Sequence, residues 1–228
     1  MKNFFKNYSM RYFVILAIFT ASISLSSCLD YVQSVSYKDG KYQFYYKITC
    51  SKALLEFAEE ENEDYQEYVD EINKELNLGE NTGMPADTKF SNVNTTSEVG
   101  MEFRFSISPS TDNEDEKAFL PKTSGTKYYI PFLIGDKEMD IASAFKSSED
   151  KEEMEYTKLF LSSAKCRLLI SKRIIQNAAT AYFEGKGGQN CSVALFDYGE
   201  NYCVEVPLIQ LFDDKMYDFS RVVIIRGE

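Results

Sequence analysis

The feature that most constrains the fold is a strict alternation of apolar and polar residues over short stretches. It is clearest near the middle of the chain, where Met101, Phe103, Phe105 and Ile107 alternate with Glu102, Arg104, Ser106 and Ser108. Successive side chains of a β-strand point to opposite faces of a sheet, so a period of two indicates a half-buried strand. Residues 42–48 show the same period. The chain is therefore predicted to be built mainly from strands.

Turn residues separate further strand candidates. Asp39-Gly40 lies between residues 31–38 and 42–48 and predicts a tight hairpin. In the C-terminal third, residues 185–188 and 198–201 predict turns of an antiparallel meander. The glycines at 185, 187 and 188 lie between two strand candidates, which argues against a phosphate-binding loop. The remaining strand candidates are residues 90–96, 127–134, 166–171, 180–184, 191–197, 202–208 and 221–225.

Two segments have a helical period. After Asp64, a plausible N-cap, apolar residues recur at Tyr65, Val69, Ile72 and Leu76. A second helix is predicted to start after Ser147 or Ser148, with acidic residues in its first turn, and to run through Leu161. The predicted fold is thus α+β: a single domain over residues 28–228, with about two helices packed on a mostly antiparallel sheet. The alternative is a β-sandwich with helical insertions.

The first 28 residues have the pattern of a processed signal. Lys2, Lys6 and Arg11 precede a fourteen-residue apolar run, residues 12–25, which is short for a membrane span of about 20 residues. Leu25, Ser26, Ser27 and Cys28 follow, and this stretch resembles the lipobox of bacterial lipoprotein precursors. The resemblance implies cleavage before Cys28, lipidation of that cysteine and a place in the bacterial cell envelope. The alternatives are an uncleaved N-terminal helix or an ordinary secretory signal. Residues 28–32 and the hairpin after them also resemble uncharacterised spirochaete lipoproteins, which imply no activity.

Composition excludes several classes of function. Cleavage before Cys28 leaves 22 Lys and Arg against 36 Asp and Glu, a net charge near −14. Nucleic acid needs clustered cations, so it is not an expected partner, and anionic headgroups would not attract this chain either. Histidine is absent, which removes the imidazole bases of most hydrolases and most zinc sites. No cofactor and no metal site are predicted.

Four cysteines besides Cys28 permit two disulfides or free thiols. If residues 198–201 form a two-residue hairpin turn, the residue numbers of each opposed pair add up to 399. Cys203 then lies opposite Phe196. A bridge from Cys203 to Cys191 would then be out of register. The pattern leaves the state of Cys50 and Cys166 open.

The remaining candidate sites are few. Ser143-x-x-Lys146 and Ser162-x-x-Lys165 have the spacing of a serine–lysine catalytic pair, but so short a pattern is unspecific. Residues 112–116 predict a solvated acidic loop, because the stretch does not fit a calcium-binding EF-hand; an irregular calcium site is the alternative. Tyrosines in strands could form a binding surface, or they could be ordinary strand residues. They are Tyr42, Tyr45, Tyr46, Tyr128 and Tyr129.

These features predict an envelope lipoprotein that binds the bilayer through its lipid and acts as a non-enzymatic binding module for another envelope protein or a small ligand. A structural or assembly role in the envelope is the alternative. A hydrolase that uses paired carboxylates is the third possibility, because sequence does not show which acidic residues face each other.

Overall fold

The computed structural model describes residues 29–52, 84–132, 162, 164–212 and 216–227. Strands make up most of them, and all belong to one sheet with the order β3-β4-β2-β1-β7-β10-β9-β8-β11-β6-β5. The strands are β1 (Leu29–Lys38), β2 (Lys41–Ser51), β3 (Lys89–Asn94), β4 (Glu98–Ile107), β5 (Lys122–Ser124), β6 (Lys127–Pro131), β7 (Lys165–Ser171), β8 (Ala178–Gly185), β9 (Cys191–Tyr198), β10 (Asn201–Pro207) and β11 (Tyr217–Arg226).

The predicted antiparallel sheet is confirmed, with one exception. Neighbouring strands pair antiparallel except β1 and β7, which run parallel from Asp30 opposite Lys165 to Val35 opposite Ile170. Because β2 pairs with the other edge of β1 along its whole length, β1 lies in the interior of the sheet.

Two turns formed as the sequence predicts. Asp39 and Gly40 both have positive φ, 54° and 78°, the conformation that a two-residue hairpin turn needs and that Gly adopts at no steric cost. The β9–β10 hairpin places Cys203 opposite Phe196, as the 399 register requires. Cys203 and Cys166 are buried free thiols.

The sheet folds back on itself at β9. Residues 191–193 pair with β8, whereas residues 194–198 pair with β10. The two halves then meet through their inner faces: the Tyr31 ring on β1 lies 6.3 Å from Phe132, which follows β6. One apolar core fills the space between them, including the predicted inward residues Phe103, Phe105 and Ile107 of β4. The arrangement has two layers, as in a sandwich, although the sheet is continuous.

A buried glutamine connects the two layers. Gln33 is fully buried on the inner face of β1, and its Nε2 donates to the carbonyl oxygen of Pro131 at 2.7 Å and to the hydroxyl of Tyr46 at 3.2 Å. Tyr31 donates to Gln33 Oε1 at 3.5 Å. A buried polar group is costly without partners, so these bonds fix how β1 and β6 sit relative to each other.

The helix content differs from the prediction. The helices predicted after Asp64 and after Ser147 or Ser148 lie outside the described residues. The described part of the chain holds a six-residue helix, α1 (Glu114–Phe119), and a short 3-10 helix (Leu208–Phe212).

Helix α1 corrects the prediction of an acidic loop at residues 112–116. Asn113 caps it by accepting from the backbone N–H of Asp115, and the acidic residues fall in the first turn, where the helix dipole favours them.

Candidate functional site

A small cavity lies at the turn end of the β1–β2 hairpin. Its volume is about 260 Å³, and its lining residues are Tyr37, Tyr42, Pro109, Arg173 and Ile174. Tyr37 and Tyr42 are cross-strand partners next to the Asp39-Gly40 turn. Their rings meet edge to face, with centroids 5.0 Å apart. The cavity is open to solvent, and its lining combines aromatic and aliphatic surface with polar atoms and one cationic side chain.

The two loops that complete the cavity are held by backbone hydrogen bonds. Pro109 lies in a turn closed by the bond from Thr111 N–H to the Ser108 carbonyl oxygen, 3.1 Å. Arg173 lies in a turn after β7, where Ile174 N–H donates to the Ser171 carbonyl oxygen at 2.9 Å. The Arg173 N–H donates to the Ser171 hydroxyl at 3.3 Å. The backbone of both loops is thus held by the fold, whereas the exposed Arg173 side chain would be ordered by the ligand.

Arg173 and its neighbour Lys172 differ in their electrostatic surroundings. The Lys172 ammonium contacts Asp197 at 2.7 Å and lies over the Tyr202 ring. Arg173 is exposed, and no carboxylate of the described residues lies within ion-pair distance of it. The guanidinium is therefore available to an anion that enters the cavity.

Tyr42 supplies a protonated hydroxyl. A tyrosine hydroxyl is protonated at neutral pH and can donate a hydrogen bond. Partial burial, followed by the nearby Tyr37 hydroxyl, raises the pKa of Tyr42 further. The five lining residues include no carboxylate, serine or cysteine. They offer two phenol hydroxyls and a guanidinium, which can donate hydrogen bonds to a bound molecule.

Cations at the opposite end of the hairpin are neutralised. On the outer face, Arg167 of β7 contacts Asp30 of β1 at 2.7 Å and Glu205 of β10 at 3.3 Å, and Lys165 contacts Glu205 at 2.9 Å. Hydrogen bonds from Lys165 and then Arg167 lower the pKa of Glu205. A catalytic general acid requires the opposite shift. Lys165 is paired and 45% exposed, so it lacks the desolvation that a serine–lysine mechanism needs. Ser143 and Lys146 lie outside the described residues.

Two of the predicted binding tyrosines, Tyr45 and Tyr46, face opposite sides of β2. Tyr46 is fully buried and stacks on Phe103 with centroids 4.8 Å apart, so it belongs to the core. Tyr45 lies on the outer face and donates to Glu102 Oε2 at 2.8 Å. Burial, and then this bond, raise the pKa of Tyr45 to about 12.

The other three predicted tyrosines are separated. Tyr42 lines the cavity, whereas Tyr128 and Tyr129 are half-buried on β6 in the other half of the sheet. Sequence reasoning missed the other lining residues. The hairpin register around Asp39-Gly40 places Tyr37 opposite Tyr42, so that pair could have been found. Arg173 gave no such signal, because the β1–β7 pairing brings it there.

Neither a metal centre nor a spanning helix is evident in the residues that the structure describes. They contain no group of three or more metal-ligating side chains. None of their helices is long and apolar enough to cross a membrane. The lipobox residues Leu25, Ser26, Ser27 and Cys28 lie outside these ranges.

Comparison of the chain with protein-family models, with curated proteins and with solved structures gives no match.

Proposed function

We propose that this chain is a bacterial envelope lipoprotein, lipidated on Cys28, whose sheet domain is a non-enzymatic binding module. The anchor is proposed from the lipobox pattern, and the binding role from the cavity at the far end of the β1–β2 hairpin. The cavity carries the argument for binding, because it places two aromatic rings beside a cation that lacks a described carboxylate partner.

The fold supports a short connection between anchor and domain. Strand β1 begins at Leu29, the residue directly after Cys28, and Leu29 already pairs with Cys50 of β2. A lipidated Cys28 would then be joined to an interior strand without a tether. Several acyl chains hold a protein stably, since each buried CH₂ contributes about 0.8 kcal/mol. The net negative charge adds no attraction to anionic lipid, so the lipid would act alone.

The direction of β1 places the cavity away from the anchor. The strand runs ten residues from Leu29 to Lys38, which at roughly 3.3 Å per residue is about 30 Å. Tyr37 and Tyr42 lie at its far end. A domain anchored at Cys28 and standing on the near end of β1 would present the cavity to the compartment that the membrane faces.

The helices predicted after Asp64 and after Ser147 or Ser148 stay sequence predictions, because both segments lie outside the described residues. The weak resemblance to spirochaete lipoproteins is consistent with an envelope location, and it adds no ligand or partner.

Labelling with radioactive palmitate in the native host tests the anchor. The wild-type chain and a Cys191→Ala control should both incorporate label, and Cys28→Ala should incorporate none. Label that persists in Cys28→Ala would refute the anchor, whatever the cavity binds.

A further inference from the structure

We propose that the cavity at the β1–β2 turn binds a small molecule that combines one flat apolar ring system with one carboxylate, with Arg173 as the partner of the carboxylate. This inference rests on the proposed binding role and gives the ligand class. It does not depend on the lipid anchor.

The residues that line the cavity favour a flat ring as the apolar part of the ligand. Tyr37 and Tyr42 present an aromatic corner whose ring planes are 64° apart, and Pro109 and Ile174 add aliphatic surface. Aromatic rings favour offset or edge-to-face contact with a second ring. The volume of about 260 Å³ is below the range of ordinary ligand pockets, roughly 300–1,000 Å³. A single or fused ring system fits this space, whereas a larger ligand would extend into solvent.

Arg173 selects the carboxylate. A guanidinium offers a planar fork of N–H donors that matches two carboxylate oxygens. The adjacent cation, Lys172, already has Asp197. In a chain of net charge −11 the general field repels anions, so an anion would bind only where a cation is exposed beside a fitting surface. The Tyr42 hydroxyl, kept protonated, is a further donor at the same cavity.

The site is organised before the ligand arrives. The Arg173 turn is held on one side by the bond from Lys172 N–H to the Glu200 carbonyl oxygen, 3.0 Å. On the other side Ile175 is fully buried in the core. When the backbone of a loop is already held, binding costs less conformational entropy, which favours affinity for a small ligand.

Saturation-transfer NMR on the full chain in detergent tests the proposal with two probes. They are 1-naphthaleneacetate and its uncharged amide, 1-naphthaleneacetamide, which have the same ring and similar size. The acid should bind the wild-type chain about tenfold more tightly than the amide, the factor expected when one charge-assisted bond of about 1.4 kcal/mol is added. Excess acid should reduce the saturation transfer to the amide, because both probes are expected to occupy the same site.

Arg173→Gln should weaken binding of the acid about tenfold and leave binding of the amide unchanged. Lys41→Gln is the matched control. It removes the same charge beside the same turn, but Lys41 does not line the cavity, so it should leave the ratio of acid to amide affinity unchanged. The Cys28→Ala chain should bind both probes as the wild type does.

Three results would overturn the proposal: equal affinity for acid and amide in the wild type, an equal loss in Arg173→Gln and Lys41→Gln, or no saturation transfer to either probe. Each leaves the palmitate result untouched, so failure of the ligand class is distinguishable from failure of the lipid anchor.

Discussion

The two ends of the β1–β2 hairpin differ in the pairing of their cations and in their exposure to solvent. At the end next to Leu29, the cations Lys165 and Arg167 are paired with Asp30 and Glu205, and the Cys166 thiol is buried on the inner face. At the turn end, Arg173 is exposed beside an open cavity. At the near end Lys165 and Arg167 are paired with carboxylates. At the far end Arg173 has no carboxylate of the described residues within ion-pair distance. This difference is the reason that we propose the binding role at the far end.

The largest expected difference between the two ends is in the rate at which a thiol is alkylated. Burial, and then the nearby Asp30 carboxylate, raise the pKa of Cys166 to about 12, so at pH 8 the reactive thiolate is scarce. An ordinary exposed thiol has a pKa near 8.5, and Cys166 should be alkylated at least about a hundredfold more slowly. A Tyr37→Cys variant places a thiol at the cavity, where it should react at the ordinary rate. Iodoacetamide labelling followed by peptide mass spectrometry measures both sites in one chain. Similar rates at the two sites would break the comparison.

Gln33 lies between the two ends, and its loss should loosen both. Gln33→Leu removes the donor to Pro131 and to Tyr46, leaving a buried carbonyl and hydroxyl without that partner. We expect a loss of about 2–3 kcal/mol in the free energy of unfolding. Gln43→Leu is the control, since Gln43 lies half-buried on β2 and should change stability by less than about 0.5 kcal/mol. Urea unfolding followed by circular dichroism measures both. Equal losses would show that Gln33 does not hold the layers together.

Neutralising the two arginines should have unequal effects on stability. Arg167→Gln breaks contacts to Asp30 and Glu205, but its side chain is 38% exposed, so solvent screening limits the loss to about 0.5–1 kcal/mol. Arg173→Gln should change stability by less than about 0.5 kcal/mol. Urea unfolding at pH 7 provides the comparison. A larger loss in Arg173→Gln than in Arg167→Gln would make Arg173 a structural residue.

The Arg167 effect should also depend on pH. The folded pKa of Glu205 is lowered, so its favourable interaction is present above the unfolded carboxyl value and is lost as pH falls through the folded one. The stability difference between wild type and Arg167→Gln should therefore shrink between pH 6 and pH 3. A difference that stays constant over this range would mean that the Glu205 carboxylate does not contribute.

Local patterns predicted the strands and hairpins well, because alternation and turn residues act within a few positions. The register that places Cys203 opposite Phe196 follows from the β9–β10 turn alone. The parallel β1–β7 pair was not predictable in this way, since it joins residues far apart in sequence and no local turn sets its register. Arg173 enters the candidate site through that pair. The tyrosine pattern identified Tyr42 but could not distinguish it from Tyr46, which alternation also places on the inner face.

Helix α1 has a local sequence signal at its N-terminus. Asn113 followed by Glu114, Asp115 and Glu116 is a good N-terminal sequence for a helix. Asn113 caps the stretch by accepting from Asp115 N–H, and Glu114 pairs with Lys117 at 2.7 Å.

The most direct test of the account measures how far each end of β1 lies from the bilayer. A dye would be attached at Lys38→Cys or at Lys165→Cys, which lies opposite Asp30, in the lipidated chain carrying C50S and C191S. Energy transfer to rhodamine-labelled lipid in vesicles then gives two distances. The account predicts that the Lys38 position is farther from the membrane by about 25 Å, the span of eight strand residues. Equal distances, or a Lys38 position nearer the bilayer, would contradict a binding end directed away from the anchor.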